Sequence, residues 1–468
     1  MSSSTAAPPA ARSIADRVAE LALRVPGIHA PGDPAYEDLR LPWHRAHDQR
    51  PAAVAAPASV DDVVALVSAA GQLGLRLAPQ GTGHGALPLA QHDLGEVVLV
   101  RTNGFDEASV DAAARRVRVG AGVRWGAVVT ATAAHGLAAL HGSSPTVGVV
   151  GYCLGGGIGW YARALGMAAN SVTAVELVTA DGVHRRVDAD HDPELFWALR
   201  GGGGALGIVT ALELRLEPIA DVVAGMLWWP LENAERVLRA WLAVTHDAPD
   251  ALTTSFRIMR FPDLPELPDP VRGRSIVVID GAVLADDATA EQLLAPLRAL
   301  EPELDTFARV AAETLPELHM DPIDPTPAAG HSTLLGALDD AGVAALLAAV
   351  GPGTDSGLLF AELRQLGGAL AREPEGAGVL SRLDGDYAML LLGIAPDDAA
   401  VAQVRAEAER VVEAMRPWST GAEYLNFAEG PVDASRAYAP GVWERLTSIR
   451  SQHDPDSLFV ANHGFRLD

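Results

Sequence analysis

Lysine is absent from this sequence of 468 residues, and all 35 basic residues are therefore arginine. The absence excludes a P-loop lysine, a Schiff-base lysine and a lysine general base. Cysteine is almost absent too, since Cys153 stands alone. One thiol excludes intramolecular disulfides, iron–sulfur clusters and cysteine-rich zinc sites, and it fits a reducing compartment.

Long apolar runs are also missing, because none approaches the ~18 residues that a membrane-spanning helix needs. The N-terminus has no basic region followed by an apolar core, the pattern typical of a secretory signal. The 60 acidic residues outnumber the basic ones and give a formal charge of −25, which repels nucleic acid and anionic membranes. We therefore expect a cytoplasmic protein, monomer or homodimer, with no nucleic-acid or membrane partner.

The pattern of elements predicts an α+β protein of several domains. Strands and helices alternate from Ala53 to Leu216, and Ser59 with Asp62 resembles a capping box at the start of one helix. After Glu217-Pro218 the glycine clusters give way to apolar segments that alternate with amphipathic helices, which predicts a sheet with helices on one side. We predict a helical extension (1–39), a glycine-rich domain (40–218), a second domain (219–422) and a C-terminal segment (423–468).

Two glycine-dense loops are the most informative feature of the first domain. One is Pro79-Gln80-Gly81-Thr82-Gly83-His84-Gly85, after the apolar run 75–78. The other runs from Ser144 through Gly151 and Cys153 to Gly155-Gly156-Gly157-Ile158-Gly159. Because glycine has no Cβ, such loops let backbone N–H groups approach a phosphate or a flat ring. Two of them in one domain indicate a large polyanionic cofactor such as a dinucleotide.

A nicotinamide dinucleotide is one alternative. The segment 157–162 matches G-x-G-x-x-A loosely, and Glu176 lies where an acid that binds ribose belongs. However, the residues before Gly157 are rich in glycine and contain Ser144-Pro145, so no clean strand leads into the turn. The pattern fits a long loop that wraps around a cofactor better.

The ordered set of motifs resembles the berberine-bridge-enzyme-like flavoproteins. The set comprises Gly-x-Gly-His at 81–84, Ser-Pro-Thr-Val-Gly-x-x-Gly at 144–151, Tyr424-Leu425-Asn426-Phe427 and Asp454-Pro455. This family includes 6-hydroxy-D-nicotine oxidase and belongs to the FAD superfamily of p-cresol methylhydroxylase (PCMH) and vanillyl-alcohol oxidase. The resemblance covers about 50–218 and 423–465 and is thin between them.

The resemblance implies a fold and a cofactor. It implies a PCMH-type FAD-binding domain of two α/β subdomains (40–218) and a substrate domain (219–422) with an antiparallel sheet flanked by helices. The C-terminal segment is expected to return to the FAD domain. In the family the first loop carries a histidine bonded to the flavin 8α-methyl, and His84 is at that position, although Gln80 replaces the usual arginine. Ser144 stands where relatives have a second linking cysteine, so we expect one covalent link, through His84.

The resemblance also supplies candidate site residues. Val147 matches the position that gates oxygen at the flavin, and Tyr424 and Asn426 match an active-site Tyr-x-Asn element. A phenol there could accept or relay the substrate proton if a neighbour lowers its pKa. The residues expected to bind the cofactor are Gly81, Thr82, Gly83, His84, Gly85, Ser144, Pro145, Thr146, Gly148, Gly151, Gly155, Gly156, Gly157, Gly159 and Asn462.

Other histidines carry weaker signals. His44 and His47 are three residues apart, but no acidic or cysteine partner lies in phase, so we expect a loop contact and no metal site. His319 and Asp321, with His331, lie in a proline-rich stretch of the second domain. They could line a substrate pocket, but the sequence does not place them there.

The expected function is that of an FAD-dependent oxidase. A C–H next to an alcohol or amine of a small substrate, alkaloid-like or another secondary metabolite, would give hydride to flavin N5, and O₂ would become hydrogen peroxide. The alternatives are a carbohydrate or alcohol oxidase and a flavin dehydrogenase with another electron acceptor. An NAD(P)-dependent dehydrogenase and a non-catalytic flavin-binding protein also remain open.

Overall fold

Three β-sheets organise the chain, and the protein is described by a computed structural model that covers residues 12–463. Residues 1–11 of the predicted extension and 464–468 of the predicted C-terminal segment lie outside the described residues. The helices are α1 Ile14–Arg24, α2 Pro34–Leu39, α3 Val60–Leu73, α4 Leu87–Ala90, α5 Trp125–Ala133, α6 Val149–Leu154, α7 Ala162–Leu165, α8 Pro193–Leu199, α9 Ala234–His246, α10 Asp287–Arg298, α11 Asp340–Val350, α12 Asp398–Met415 and α13 Val442–His453.

The strands fall into two small sheets and one large sheet. They are β1 Ile28–His29, β2 Ala53–Ala55, β3 Arg76–Gln80, β4 Val97–Arg101, β5 Ala108–Asp111, β6 Arg116–Gly120, β7 Val172–Val178, β8 His184–Asp188, β9 Ile208–Arg215, β10 Asp221–Pro230, β11 Leu252–Arg260, β12 Ser275–Val283, β13 Leu304–Asp305, β14 Ala308–Ala311, β15 Ala328–Leu335, β16 Phe360–Gln365 and β17 Tyr387–Ile394.

The first sheet has the order β1-β2-β4-β3, with β2, β4 and β3 parallel. The crossover helix α3 begins at a capping box, in which Ser59 Oγ accepts from the Asp62 N–H and the Asp62 carboxylate accepts from the Ser59 N–H. Helix α3 ends at Gly74, whose φ of 67° is left-handed and favours glycine. The chain then enters β3, so the loop 81–85 emerges at the carboxyl end of a parallel strand, where α/β proteins commonly bind ligands.

The second sheet is antiparallel, in the order β5-β6-β9-β7-β8. Its core includes Trp125, Trp160 and Leu212 together with Cys153 of α6. The third sheet contains eight strands in the order β13-β10-β12-β11-β16-β17-β15, with β14 paired to β10. The boundary predicted at 218 falls between the last strand of the second sheet and the first strand of the third.

Helices cover one face of the third sheet. Trp241 of α9 packs with Phe256, Ile279 and Leu363, which point to the same side of three neighbouring strands. Side chains alternate between the faces of a strand, so the residues between these apolar positions point away from the helices. The architecture is α+β, with two small sheets and an antiparallel sheet flanked by helices, which confirms the predicted fold class.

The end of the chain returns to the first sheet. Leu77 of β3 donates its N–H to the Leu458 carbonyl and accepts from the Val460 N–H, both at 2.8 Å. Strand β15 was not predicted, because the proline-rich residues before it conceal its alternation. No helix among residues 12–463 combines the length and apolarity needed to cross a bilayer.

Candidate cofactor and active site

A cavity of about 430 Å³ is lined by residues from all three sheets and from the C-terminal segment. This size lies in the range of small-molecule sites. The predicted site residues that line it are Gly81, Thr82, Gly83, His84, Gly85, Ser144, Val147, Gly148, Gly151, Gly155, Tyr424, Asn426 and Asn462. Thirteen residues from four separate stretches of sequence therefore face one space, whereas Pro145, Thr146, Gly156, Gly157 and Gly159 do not line it.

The first glycine loop presents free backbone donors to the cavity. The N–H groups of residues 81–85 donate no hydrogen bond to any residue between 12 and 463. Gly83 has a φ of 81°, and a Cβ there would lie 2.7 Å from Pro42 Cβ, so this position requires glycine. Consecutive free N–H groups in a turn form an anion-binding nest, which suits a phosphate or a flavin carbonyl.

His84 is held from two sides. Its Nε2 lies 3.1 Å from Thr146 Oγ1, and its ring stacks on Trp43 with 4.0 Å between the centroids. Burial, assisted by the charge of His44, lowers the pKa of His84 to about 3, so the imidazole is neutral. Its Nδ1 makes no hydrogen bond within the described chain. When Nε2–H donates to Thr146, Nδ1 keeps its lone pair and is a nucleophile.

An arginine from the neighbouring strand lies against the position where the family resemblance expects one. Arg101 of β4 is the register partner of Gln80, and its Nη1 donates to Gln80 Oε1 at 2.5 Å. Burial lowers the pKa of Arg101 to about 10, with Arg124 and Arg45 adding to the effect. The sequence analysis missed this residue; the parallel register of β3 and β4 was the signal that could have found it.

Three of the predicted cofactor glycines pack closely against other parts of the protein. A Cβ on Gly157 would lie 2.3 Å from the Tyr152 ring, and one on Gly159 would lie 1.9 Å from the His141 carbonyl oxygen. A Cβ on Gly156 would lie 2.9 Å from the Leu380 side chain. These glycines therefore permit close packing behind the cavity wall, and their contact with the cofactor stays a prediction.

The nicotinamide fingerprint has no structural counterpart. The segment 157–162 connects α6 to α7, and no strand leads into it as a Rossmann turn requires. Glu176 is occupied by Arg118, whose Nε and Nη2 donate to its two oxygens at 2.8 and 2.7 Å. The geometry therefore argues against a Rossmann-type site for a nicotinamide dinucleotide at this loop.

Tyr424 and Asn426 connect the C-terminal segment to α6 and the residues after it. Tyr424 Oη accepts from the Gly157 N–H at 3.0 Å and from Asn426 Nδ2 at 3.4 Å. Asn426 Nδ2 also donates to the Tyr152 carbonyl at 3.0 Å. Burial raises the pKa of Tyr424 above its usual value, and Asn426 and Gly157 only partly oppose this. The phenol is therefore held protonated.

The remaining predicted residues support the wall. Asn462 Nδ2 donates to the Gly85 carbonyl and so fastens the first loop. Thr146 lies behind the wall, where its hydroxyl joins His84 to Ser144 Oγ at 3.0 Å. Cys153 is buried and does not line the cavity, and burial raises the pKa of its thiol.

Sequence comparisons identify the cofactor domain. A family model described as an FAD binding domain matches residues 51–188. (R)-6-hydroxynicotine oxidase of Paenarthrobacter nicotinovorans is 35% identical over 200 residues, which are 42% of this chain and 43% of that protein. The chain therefore contains an FAD-binding domain, and over this stretch it is similar to an FAD-linked oxidase. The matched stretch spans less than half the length of that relative.

Two further comparisons extend over nearly the whole chain. FAD-linked oxidoreductase aurO of Gibberella zeae is 25% identical over 448 residues, 93% of this chain and 85% of that protein. The structure of Physcomitrella patens BBE-like 1 superimposes with a TM-score of 0.81 over 98% of this chain and all of that chain, at 22% identity. The second likeness concerns the fold.

The residues that line the cavity fit FAD by their chemistry. The free N–H groups of residues 81–85 lack acceptors that a bound FAD would provide. Gly151, Gly203 and Gly204 line the cavity, and a Cβ at any of them would meet nothing within 4 Å, so a cofactor has room beside their backbone. His84 adds a neutral ring with one uncommitted nitrogen.

Two charged residues of β16 that the sequence analysis did not predict, Glu362 and Arg364, line the side of the cavity formed by the third sheet. His319 and Asp321, which it named as possible pocket residues, line the cavity with them. Arg364 Nε donates to Glu362 Oε1 at 2.8 Å, and the Arg364 guanidinium lies 5.3 Å from the Phe427 ring centroid. The signal in the sequence was the alternation of polar with apolar residues along β16.

His44 and His47 have an acidic neighbour after all. Their rings stack with 5.1 Å between the centroids, and His44 Nε2 lies 3.5 Å from Glu429 Oε2. Among residues 12–463, no group of three or more histidine, cysteine or acidic residues could hold a metal ion. His331 lies on β15 and does not line the cavity.

Proposed function

We propose that the chain is an FAD-dependent oxidase that carries its flavin on His84. The observation that carries the proposal is the neutral His84 imidazole, fixed by Thr146 and Trp43 at the edge of the cavity. One ring nitrogen is engaged and the other is free, which is the arrangement that a nucleophile needs. Cys153 lies outside the cavity wall, so the proposed link is single.

Different residues around the cavity are proposed to bind the cofactor and to leave room for O₂. The nest at 81–85 supplies N–H donors for anionic and carbonyl oxygens of the cofactor. Val147 lines the cavity with a small side chain and is proposed to leave room for O₂. When bound, FAD supplies a two-electron acceptor that takes hydride from carbon and passes the electrons to O₂, which yields hydrogen peroxide.

The proposed substrate is a small molecule with a C–H next to an alcohol or an amine. The name of the relative (R)-6-hydroxynicotine oxidase favours an alkaloid-like compound. The cavity also suits such a molecule, because apolar Leu390 and Leu392 line it beside the charged Glu362 and Arg364. In this arrangement Tyr424, which is protonated, offers its O–H as a hydrogen-bond donor, and Asn426 holds the phenol in place.

The test is a substrate screen on purified holoprotein. Amines, alcohols and sugars are presented in parallel assays, one coupled to peroxide detection and one with an artificial dye as the electron acceptor. Peroxide formation in step with substrate loss supports an oxidase. Turnover with the dye alone would indicate a dehydrogenase, and flavin that no donor reduces would overturn the proposal.

A further inference from the structure

A buried polar cluster lies on the face of the third sheet that points away from the helices. We call this group the sheet cluster. None of its members is more than 6% exposed, although five of the six can carry charge. Its members are Ser255, Arg257, Asp280, His319, Glu362 and Arg364. Burial of charge on this scale is costly unless every group is paired, so such a cluster is often functional.

Asp280 fixes the orientation of the His319 ring. Its Oδ2 lies 2.8 Å from His319 Nδ1, and its carboxylate also accepts from Ser255 and from Arg257. Burial raises the pKa of Asp280, but Arg257 and His319 outweigh burial and hold this pKa below its usual value. The carboxylate is therefore ionised and only accepts hydrogen bonds. Nδ1 of His319 is therefore the donor, and Nε2 is the nitrogen left to exchange a proton.

Nε2 of His319 faces two groups of the cavity wall. It lies 3.2 Å from Arg364 Nη2 and 3.6 Å from Glu362 Oε2. Arginine only donates, so the neutral ring accepts from Arg364 through the Nε2 lone pair. Glu362 Oε2 has no hydrogen-bond partner in the described chain and is buried, so it can receive Nε2–H once the ring is protonated. Both protonation states of His319 thus have a partner.

Two other titratable groups of the wall, Glu362 and Tyr424, are poorer proton acceptors. Burial favours a higher pKa for Glu362, but Arg364 and His319 outweigh burial and lower this pKa to about 2. Tyr424 stays a protonated phenol because its oxygen is buried. Burial and Arg257 oppose protonation of His319, but the carboxylates outweigh them and raise its pKa above the usual value. The groups that face the ring are Asp280 on β12, Arg257 on β11, Glu362 and Arg364 on β16, and Asp321 in its own loop.

We propose that His319, oriented by Asp280, accepts the proton that the substrate's hydroxyl or amine loses during oxidation. The inference rests on the proposed function. The O–H or N–H bond breaks and its electron pair becomes the second bond of the new C=O or C=N. The C–H bond breaks with its electron pair as hydride, for which bound FAD is the acceptor. The proton ends on His319 Nε2, so the substrate loses two electrons and two hydrogens.

The decisive experiment follows flavin reduction under anaerobic conditions across pH with a donor found in the screen. In the wild type we expect the rate to rise with pH through a histidine pKa above its usual value of 6.5, because only neutral His319 accepts a proton. His319→Gln should slow reduction by about 10² to 10³ and remove that pH dependence. His331→Gln is the matched control on the same sheet, and it should leave the rate and the profile unchanged.

Asp280→Asn tests the positioning role separately. Loss of the carboxylate should lower the pKa of His319. We therefore expect the increase of rate with pH to occur at a lower pH than in the wild type. Titration of ¹⁵N-histidine signals by NMR measures the pKa of His319 without turnover. The His319 signal is identified by its absence from His319→Gln, and we expect it to titrate at a lower pH in Asp280→Asn. If His319→Gln does not fold, judged by flavin content and thermal melting, the Asp280→Asn shift decides alone.

Where a donor reduces the wild-type flavin, three outcomes would overturn the inference. His319→Gln could keep the wild-type rate and pH dependence. Glu362→Gln could instead be the variant that abolishes the pH dependence, which would make Glu362 the acceptor. The Asp280→Asn profile could coincide with that of the wild type. If no donor reduces the wild-type flavin at all, the proposed function fails and this inference fails with it.

Discussion

The indole of Trp43 lies nearly parallel to the imidazole of His84, with 4.0 Å between the ring centroids and 17° between the planes. The stack covers one face of the ring, while Thr146 engages its edge at Nε2. The imidazole is thus oriented by two contacts that do not involve a cofactor. Such preorganisation lowers the entropy cost of a covalent step.

The Thr146 hydroxyl should therefore control how quickly the flavin becomes attached. In Thr146→Val the side chain keeps its shape but loses the hydrogen bond to His84 Nε2. A neutral hydrogen bond contributes about 1 kcal/mol, so we expect attachment to slow by about fivefold. The measurement is the time course of acid-stable flavin after FAD is added to protein produced without it. An unchanged time course would show that the hydroxyl has no such role.

Removal of the Tyr424 hydroxyl should affect both stability and turnover. Tyr424→Phe leaves the buried Gly157 N–H unpaired, which should destabilise the fold by about 1–3 kcal/mol. Substrate oxidation should also slow, because the phenol lines the cavity. Tyr36→Phe is the control, since the Tyr36 hydroxyl donates to the Pro51 carbonyl and neither residue lines the cavity. Tyr36→Phe should lower the melting temperature to a similar extent and leave turnover unchanged. Equal turnover in the two variants would contradict a role for the Tyr424 hydroxyl in substrate oxidation.

A larger side chain at position 147 should close the proposed route for oxygen. In Val147→Leu we expect reoxidation of reduced flavin by O₂ to slow by about tenfold, roughly 1.4 kcal/mol in the barrier. Reduction by substrate and turnover with an artificial dye should change little. Stopped-flow measurement of the two half-reactions separates these effects. Loss of both in equal measure would mean that the leucine disturbs the flavin itself.

Acid should weaken the fold partly through Glu362. Its pKa falls from an ordinary 4.5 to about 2 in the folded state, so its contribution is complete above pH 4.5 and disappears as pH falls towards 2. The folded protein should lose about 3 kcal/mol through this group over that interval. Denaturant unfolding of the wild type and Glu362→Gln between pH 5 and 2.5 tests this. Parallel pH dependences would contradict it.

Local patterns in the sequence predicted the fold of the cofactor half well. Ser59 and Asp62 marked the start of α3 correctly because a capping box is a contact between residues close in sequence. Strand β15 was not predicted, because the prolines before it and Gly330 within it hide the alternation of its polar and apolar residues. The order of the strands in the third sheet was likewise beyond reach, since antiparallel pairing there depends on long-range packing.

Part of the candidate site could likewise be predicted from the sequence, and part could not. His84 and the first glycine loop were predictable because their contacts follow from one short segment. The sheet cluster was not, since Asp280 and His319 are 39 residues apart and meet only when β12 and the loop before β15 pack together. Alternation of Glu362 and Arg364 with apolar residues along β16 was the signal available. The sequence pattern did not show which face of the sheet would close the cavity.

The most direct test of this account asks where the flavin is attached. Wild-type protein, His84→Ala and Cys153→Ala are precipitated with acid, and flavin is then measured in the pellet and by fluorescence in a denaturing gel. The account predicts fluorescent polypeptide for the wild type and for Cys153→Ala, and release of all flavin from His84→Ala. Flavin retained by the His84→Ala polypeptide, or absent from the wild-type polypeptide, would contradict it.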